Sequence, residues 1–543
     1  MPRRADAAPV ARDTAPTSST FSPLRHANFR LLWIASLASN TGIWVQNTGA
    51  GWLMTSLAPS PIMVSLVQAA SMLPVFLLAL PAGAFADILD RRRHLIAAQS
   101  WMCLMGALLC LLTAFHLIGP WGLLALTFAI GAGSAMNSPA WSATMPELVP
   151  RADLTQAILL NNIGFNIARS IGPALGGFII GLAGTQAAFA VNAACFVVLI
   201  VALLVWKREA PRQTLPKEHF LSAMRAGARF VSASPVMRAI ILRALAYFLF
   251  ASAMWGLLPL LVRERLGLGP EAFGLMLTAM GVGAVGGGLL MGRLRAVMGR
   301  GQLVLLGSVT GMVALVLLGL APHWAVAGAG MLLYGISWII ASSSLQAYAQ
   351  LSVPSWVRAR AIGIYQLSTF GALALGSALA GWLGDVVGVQ WALLGFGLVG
   401  LAAAVAVLPW SMETATHAEP AASALPQPDA VSPELAPLLA RDRGRVLEAV
   451  RYRIDPADRM AFLAAMAQLR GVRRRGGALW WQLYEDVAHP EQWTELWAME
   501  SWTEHLREVH RLEPADRAAI AAATALHRGD DPPEASRSIA HDP

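Results

Sequence analysis

The chain has 543 residues, 56% of them hydrophobic and 13% charged, with a formal net charge of +8 and a mean hydropathy of +0.54. Soluble domains carry about 25% charged residues, so the composition excludes a disordered chain, a nucleic-acid-binding tail protein and a disulfide scaffold. It leaves a membrane protein with several spans. The mean conceals two populations: residues 29–410 hold 21 Lys or Arg and 9 Asp or Glu, whereas residues 441–530 hold 14 of each. The positive excess lies wholly in the first stretch, where it orients loops between spans, and no nucleic-acid partner is implied.

In chain order, residues 1–24 are polar and rich in Pro, Ser and Thr, and read as a disordered cytosolic tail. A bilayer-spanning helix needs about 20 apolar residues. Twelve such stretches follow: residues 29–56, 62–86, 94–117, 121–143, 155–182, 187–206, 236–262, 270–292, 301–321, 324–350, 359–386 and 389–410. They predict an all-α membrane body of two six-helix bundles, 25–206 and 236–410. Cys103, Cys110 and Cys195 lie inside apolar runs and read as small core hydrophobes. The central cytosolic loop, 207–235, mixes Phe220, Met224 and Phe230 with Lys217, Arg225 and Arg229, as a short helix on the inner surface would. Residues 411–440, Pro- and Ala-rich without Lys or Arg, form a linker. Strand patterns at 446–454, 478–484 and 493–499 and helical patterns at 456–469 and 502–512 predict a small α+β domain over 441–530. Residues 531–543 read as a second disordered tail.

Basic residues set the orientation. Arg91, Arg92 and Arg93, the central loop, and Arg293, Arg295 and Arg300 all fall on one side, whereas Arg263 and Arg265 are exceptions on the other. The positive-inside rule places both termini in the cytoplasm of a bacterial inner membrane. An internal repeat runs at one offset. Val149-Pro150 recurs as Val353-Pro354, Gly172-Pro173-Ala174-Leu175-Gly176-Gly177 as Gly376-Ser377-Ala378-Leu379-Ala380-Gly381, Gly83 as Gly287 and Arg91 as Arg295, each 204 residues on. Parallel repeats about an axis along the membrane normal are a transporter architecture, with the substrate path between the halves.

Two motifs carry the mechanism. In Gly83-Ala84-Phe85-Ala86-Asp87-Ile88-Leu89-Asp90-Arg91-Arg92-Arg93, Gly83 permits close helix approach, and Asp87 at the membrane edge caps a helix or pairs with an arginine. Arg91 and Arg92 hold the turn at the anionic inner surface. In the fifth span, Gly172, Pro173, Gly176 and Gly177 combine tight packing with a bend, suited to a helix that rocks against its neighbours. Arg169, just before them, is an intramembrane charge; it either pairs at a gate with Asp87 or Glu147 or contacts substrate.

These residues resemble the major facilitator superfamily, and Pro139-Ala140-Trp141 to Gly177, with Pro146-Glu147-Leu148-Val149-Pro150, resembles its enterobactin-exporter-like branch. The resemblance implies a proton-coupled exporter with alternating access and a cavity between spans one, four, seven and ten. On those spans Asn40, Trp44 and Asn47, then Asn137 and Trp141, then Tyr247 and Trp255, then Trp338, Ser342 and Gln346 recur at helical spacing. Uncharged amides and aromatics suit a small amphipathic organic substrate, siderophore- or drug-like; interhelical hydrogen bonding and packing are the alternative use of each. The chain departs from the family pattern at Asp90, where Gly is usual, and in lacking an arginine in the fourth span. No carboxylate lies near the middle of any span, which leaves Asp87, Glu147 and Asp385 as the titrating groups near the bilayer. Nothing resembles a nucleotide-binding loop.

In the tail, Arg473-Arg474-Arg475-Gly476-Gly477-Ala478, Trp480-Trp481, Glu495-Leu496-Trp497 and Ser501-Trp502-Thr503-Glu504-His505-Leu506-Arg507 resemble the ferredoxin-like domain fused to some such exporters. That domain is similar to dimeric α+β barrels, including antibiotic-biosynthesis monooxygenases. An oxygenase-like enzyme and a cargo-sensing or dimerising regulatory domain both follow from this likeness. His505 and His510, five apart on a helix, are poor ligands for one metal; His505 reads as a capping, surface-packing or pocket residue. No metal, cofactor or catalytic residue is expected. The tryptophans here read as core and dimer surface. Orientation is directly testable: a fluorescent protein fused after Pro543 is expected to fluoresce, and an alkaline phosphatase fused there to stay inactive.

Overall fold

A bilayer offers no water to backbone N–H and C=O groups, so each apolar stretch must satisfy its own hydrogen bonds as a helix. The computed structural model describes residues 21–88, 90–150, 153–206, 220–353, 357–410, 444–511, 514–529 and 531–540, with positions 412, 432 and 435 besides. Its first helices are α1 (Ala27–Leu57), α2 (Pro61–Ile88), α3 (Arg91–Ala114), α4 (Pro120–Leu148) and α5 (Leu154–Val205). After α6 (Phe220–Ala233) come α7 (Pro235–Leu260), α8 (Pro270–Val297), α9 (Arg300–Leu320), α10 (Trp324–Leu351), α11 (Arg358–Val387) and α12 (Val389–Ala406). Among the described residues, nine helical stretches are long and apolar enough to cross a membrane. Their outer faces present large apolar side chains such as Leu182, Val285 and Leu289, a surface suited to lipid.

The fifth and sixth expected spans share α5. Its backbone breaks at Gly184, where φ is 81° and ψ 171°, a conformation open to glycine and strained for residues with a Cβ. Asp90, the departure from the family pattern, has a local reason: its side chain accepts a 3.0 Å bond from the Arg93 N–H and so caps α3. The sequence repeat is also a packing repeat. α1 packs on α5 and α2 on α4, as α7 packs on α11 and α8 on α10. Gly131 abuts the α2 backbone at Ser71, and Gly335, 204 residues later, abuts the α8 backbone at Met280. Between the halves, α2 lies on α11 and α5 on α8, whereas α4 and α10 share no extended contact among the described residues.

The C-terminal unit contains β1 (Val446–Arg453), α13 (Arg459–Gly476), β2 (Trp480–Glu485), β3 (Gln492–Met499), α14 (Trp502–Arg511), α15 (Pro514–Thr524) and β4 (Glu534–Ile539). The strands form one antiparallel sheet in the order β2-β3-β1-β4. The structure corrects the expectation of a disordered tail over 531–543, since β4 pairs with β1 from Val446↔Ile539 to Arg451↔Glu534. Glu534-Ala535-Ser536-Arg537-Ser538-Ile539 has little apolar alternation because it is an edge strand held chiefly by backbone bonds.

The helix-facing side of this sheet buries Val446, Val450, Tyr452, Trp493 and Trp497 against Phe462, Met466 and Leu469. A charge network lies within it. Arg473 contacts Glu495 at 3.0 Å and Glu508 at 3.1 Å, and its guanidinium lies 3.6 Å from the Trp497 ring centroid. Trp481 Nε1 and the Tyr452 hydroxyl donate to Glu495 at 2.9 and 3.2 Å. Burial disfavours the Arg473 charge, but Glu495 and Glu508 outweigh it and hold the guanidinium above its ordinary value. Burial raises the Glu508 carboxyl against the opposing pull of Arg473. His505, expected as a capping, surface-packing or pocket residue, is 6% exposed and its Nδ1 pairs with Glu448. The ligand atoms of Glu448, His505 and Glu508 lie within 4.8 Å of one another, but Glu448 and His505 satisfy each other and Glu508 holds Arg473. The His510 side chain lies outside the described residues.

The central loop also departs from expectation. α6 is not a helix lying only on a lipid surface: Phe230 is buried in the core of the second half, and Gly227 is so close to α11 that a Cβ would meet the Arg360 Cβ at 2.7 Å. On its other side α13 packs on α6, and Glu500 lies 3.6 Å from Arg229. Side chains of the first turns of α6, and residues 1–20, 207–219 and most of 411–440, lie outside the described residues. Breaking a buried ion pair from one side costs about 3–5 kcal/mol. Arg473→Met is therefore expected to lower the stability of the C-terminal unit by about that amount, read as earlier proteolysis of the full chain in a urea series.

Candidate functional site

A cavity of about 640 Å³ lies between the two halves. Helical phase builds its walls: Trp44, Asn47 and Thr48 share one face of α1, Asn162, Asn166 and Arg169 one face of α5, and Trp338, Ser342 and Gln346 one face of α10. Trp255 enters from α7 and completes an aromatic wall that crosses the interface, with ring centroids 5.8 Å from Trp44 and 5.9 Å from Trp338. Gln68, Gln350 and Gln366 add amides. Among the described residues Arg169 is the one charged side chain of the lining. Its Nη2 donates to Asn166 Oδ1 at 2.9 Å.

Of the residues expected at this cavity, Trp44, Asn47, Trp255, Trp338, Ser342 and Gln346 line it, and Asn40, Asn137, Trp141 and Tyr247 do not. The latter serve their own half. Asn40 Nδ2 donates to the Ser36 carbonyl at 2.8 Å, Asn137 accepts from Gln99 at 3.1 Å, and Trp141 Nε1 donates to Asn161 at 3.1 Å. Tyr247 is buried with its hydroxyl 3.0 Å from Ser337 Oγ. Asn162, Asn166, Gln68, Gln350 and Gln366 were not among the expected residues. Asn162 and Asn166, four apart in an apolar stretch, were the signal available on the fifth span.

One end of the bundle is held shut across the halves. Asp385 of α11 accepts from Ser60 Oγ at 2.9 Å and the Ile62 N–H at 3.3 Å, and so caps the start of α2. Arg263 donates to Thr55 Oγ1 at 2.7 Å and Ser56 Oγ at 2.5 Å, with its guanidinium over the Trp52 ring. The glycine motif of α5 packs two ways. Gly172 fits against Trp44 and Gly176 against Val45 and Thr48, both on α1, while Gly177 meets the α8 backbone, where a Cβ would lie 2.7 Å from Gly274 Cα and the Pro270 carbonyl. Pro173 lies inside α5 in the same segment, and its carbonyl faces Gly274.

At the opposite, basic end the ion pair among the described residues of the first half lies within that half. Arg91 Nη1 contacts Glu147 at 2.6 Å and the Ala143 carbonyl at 2.9 Å. Arg92 donates to the Leu203 and Leu204 carbonyls at the end of α5, the favourable place for a cation. Glu147 is thus paired with Arg91 and not with Arg169. Gly83 and Asp87 fall in the last turns of α2, where side chains lie outside the described residues.

A family model described as "Transmembrane secretion effector" matches residues 18–543. An enterobactin exporter from Escherichia coli O1:K1 is 27% identical over 374 residues, covering 67% of this chain and 86% of that protein. One from Shigella boydii serotype 18 is 28% identical over the same shares. Among solved structures, a nucleoside transporter aligns with a TM-score of 0.60 at 13% identity, over 70% of this chain and 99% of its own. A bacterial homologue of the iron transporter ferroportin, in an inward-facing state, aligns with a TM-score of 0.55 at 16% identity, over 70% and 98%. These structural likenesses show the fold.

Packing at α5–α8 leaves no room for a side chain. Gly177→Leu is expected to reduce cross-linking between Pro61→Cys and Gly384→Cys by about threefold or more, because it forces the shut end apart. Gly119→Leu, facing open space, is expected to leave that yield unchanged.

Proposed function

The chain belongs to the transmembrane secretion effector family of MFS transporters, and from that membership we propose that it is a secondary active exporter of small amphipathic organic molecules, siderophore- or drug-like. In this reading twelve spans form two six-helix halves, α5 contributing two of them, with both termini in the cytoplasm. The observation that carries it is the cavity between the halves, walled by tryptophans and amides and shut at the end away from the basic loops. Substrate enters from the cytoplasmic side, the halves rock about the α5–α8 and α2–α11 contacts, and the inter-half bonds of Asp385 and Arg263 break as the outer side opens. A proton is the proposed coupling ion, as the family resemblance implies. The substrate class agrees with relatives named for enterobactin export.

The strand order and the alternation β1-α13-β2-β3-helices-β4 fit a ferredoxin-like domain. A regulatory role suits it better than an oxygenase, because its interior is filled by the Arg473 network and its helix α13 rests on α6. Its outer sheet face, with Trp480 and Tyr484 exposed, is the proposed dimer surface. Cells expressing the chain are expected to accumulate severalfold less of at least one siderophore- or drug-like solute than cells expressing Trp255→Ala/Gln346→Ala at equal membrane abundance. Equal accumulation across the panel would oppose export. A chain ending before Arg441 is expected to keep transport in inverted vesicles.

A further inference from the structure

We propose that the substrate of this cavity is an organic anion: a flat aromatic body bearing a carboxylate or similar oxyanion that the Arg169 guanidinium binds. The inference rests on the cavity being the substrate site. A charge inside the bilayer is costly and is normally paired or placed for function. Other arginines of the membrane body have partners within the chain: Arg91 has Glu147, Arg92 has helix-end carbonyls, Arg243 has the carbonyls of Gly301, Leu408 and Trp410, and Arg263 has Thr55 and Ser56. Among the described charged residues Arg169 alone lines the cavity, and no described carboxylate lies within ion-pair distance of it. Its side-chain bond goes to the neutral Asn166 Oδ1 and takes one N–H of one terminal nitrogen. A guanidinium has five N–H donors, so a two-point face remains for an oxyanion.

Among the described residues no counter-charge faces Arg169, and in this proposal it arrives with the ligand. Arg169 is also well placed to report occupancy, since it sits one turn before Gly172 and Pro173, on the helix that packs against both α1 and α8. The Trp44, Trp255 and Trp338 rings supply the stacking surface for the aromatic body. With one cation and no carboxylate in its lining, the cavity repels cations and leaves neutral analogues of the substrate without their strongest contact. An anion leaving the cell also moves down an inside-negative potential, so part of the driving force travels with the substrate.

The test uses the full chain in phosphatidylcholine nanodiscs and three probes of one shape: 2-naphthoate, 2-naphthamide and 2-(aminomethyl)naphthalene. Binding is read from tryptophan quenching after subtraction of empty discs. Naphthoate is expected to bind at least about tenfold more tightly than the other two, as one charge-assisted contact provides. Arg169→Gln is expected to abolish the preference and Arg169→Lys to retain most of it, which separates lost charge from lost folding. Trp255→Ala should weaken all three probes alike. Equal binding of the amide or the amine to the unaltered chain, or a preference that survives Arg169→Gln, overturns the anionic class while the cavity reading stands. Binding of none of the three overturns both.

Discussion

Charge in an apolar medium must find a partner, and the architecture of the membrane body follows from where those partners are. Few charges lie over nearly four hundred residues, and several of the described ones tie helices together. Arg91 and Arg92 tie the start of α3 to the ends of α4 and α5, so the basic loop is a clamp within one half as well as an orientation signal. Asp385 and Arg263 act between halves, through a helix N-terminus and hydroxyls and not through opposite charges. Such neutral-to-charged bonds are strong enough to close an interface and weak enough to exchange, a property that a moving gate requires. Arg169 is set apart by the same rule, because its partners within the chain are too few for its charge.

Small residues decide how the halves meet. Gly177 and Gly274 let the backbones of α5 and α8 touch, and Gly381 does the same for α11 against Pro61 and Ser65 of α2. The two contacts are related by the 204-residue offset on α5 and α11, so one inter-half packing surface is built twice. Gly376 seats α11 on α7 at Leu249 and Ser252, as Gly172 seats α5 on α1 at Thr41 and Trp44. Within a half glycines seat α5 on α1 and α11 on α7; between halves the same two helices pack on α8 and α2.

The C-terminal unit answers the charge problem in water. Three buried carboxylates, Glu448, Glu495 and Glu508, face Arg473 and His505, with tryptophan N–H groups completing the network. It joins β1, β3, α13 and α14, which a purely apolar core would hold with less directional preference. Through α6 it also touches the membrane body, since Gly227 presses on α11 while Arg229 reaches Glu500. The loop that links the halves is therefore also the seat of the C-terminal unit.

Much of this was legible along the chain because its cause is local. Apolar length marked the helices to within a few residues, since a helix in lipid satisfies only its own backbone. Spacing put Trp44 with Asn47 and Trp338 with Ser342 and Gln346 on shared faces. What the sequence could not supply was which face meets which neighbour. Asn137, Trp141 and Tyr247 have the right phase for a cavity and yet bond within their own half. Asn162, Asn166 and Gln366, on helices beside those expected, line the cavity instead. β4 was illegible because an edge strand draws its stability from backbone bonds to β1 and not from a pattern of its own side chains. The sequence by itself determined that the body is helical and apolar and that it repeats at one offset, products of composition and short-range periodicity. Only the tertiary structure decided which charges are paired, and so left Arg169 facing the cavity, because pairing depends on distances between residues far apart in the chain.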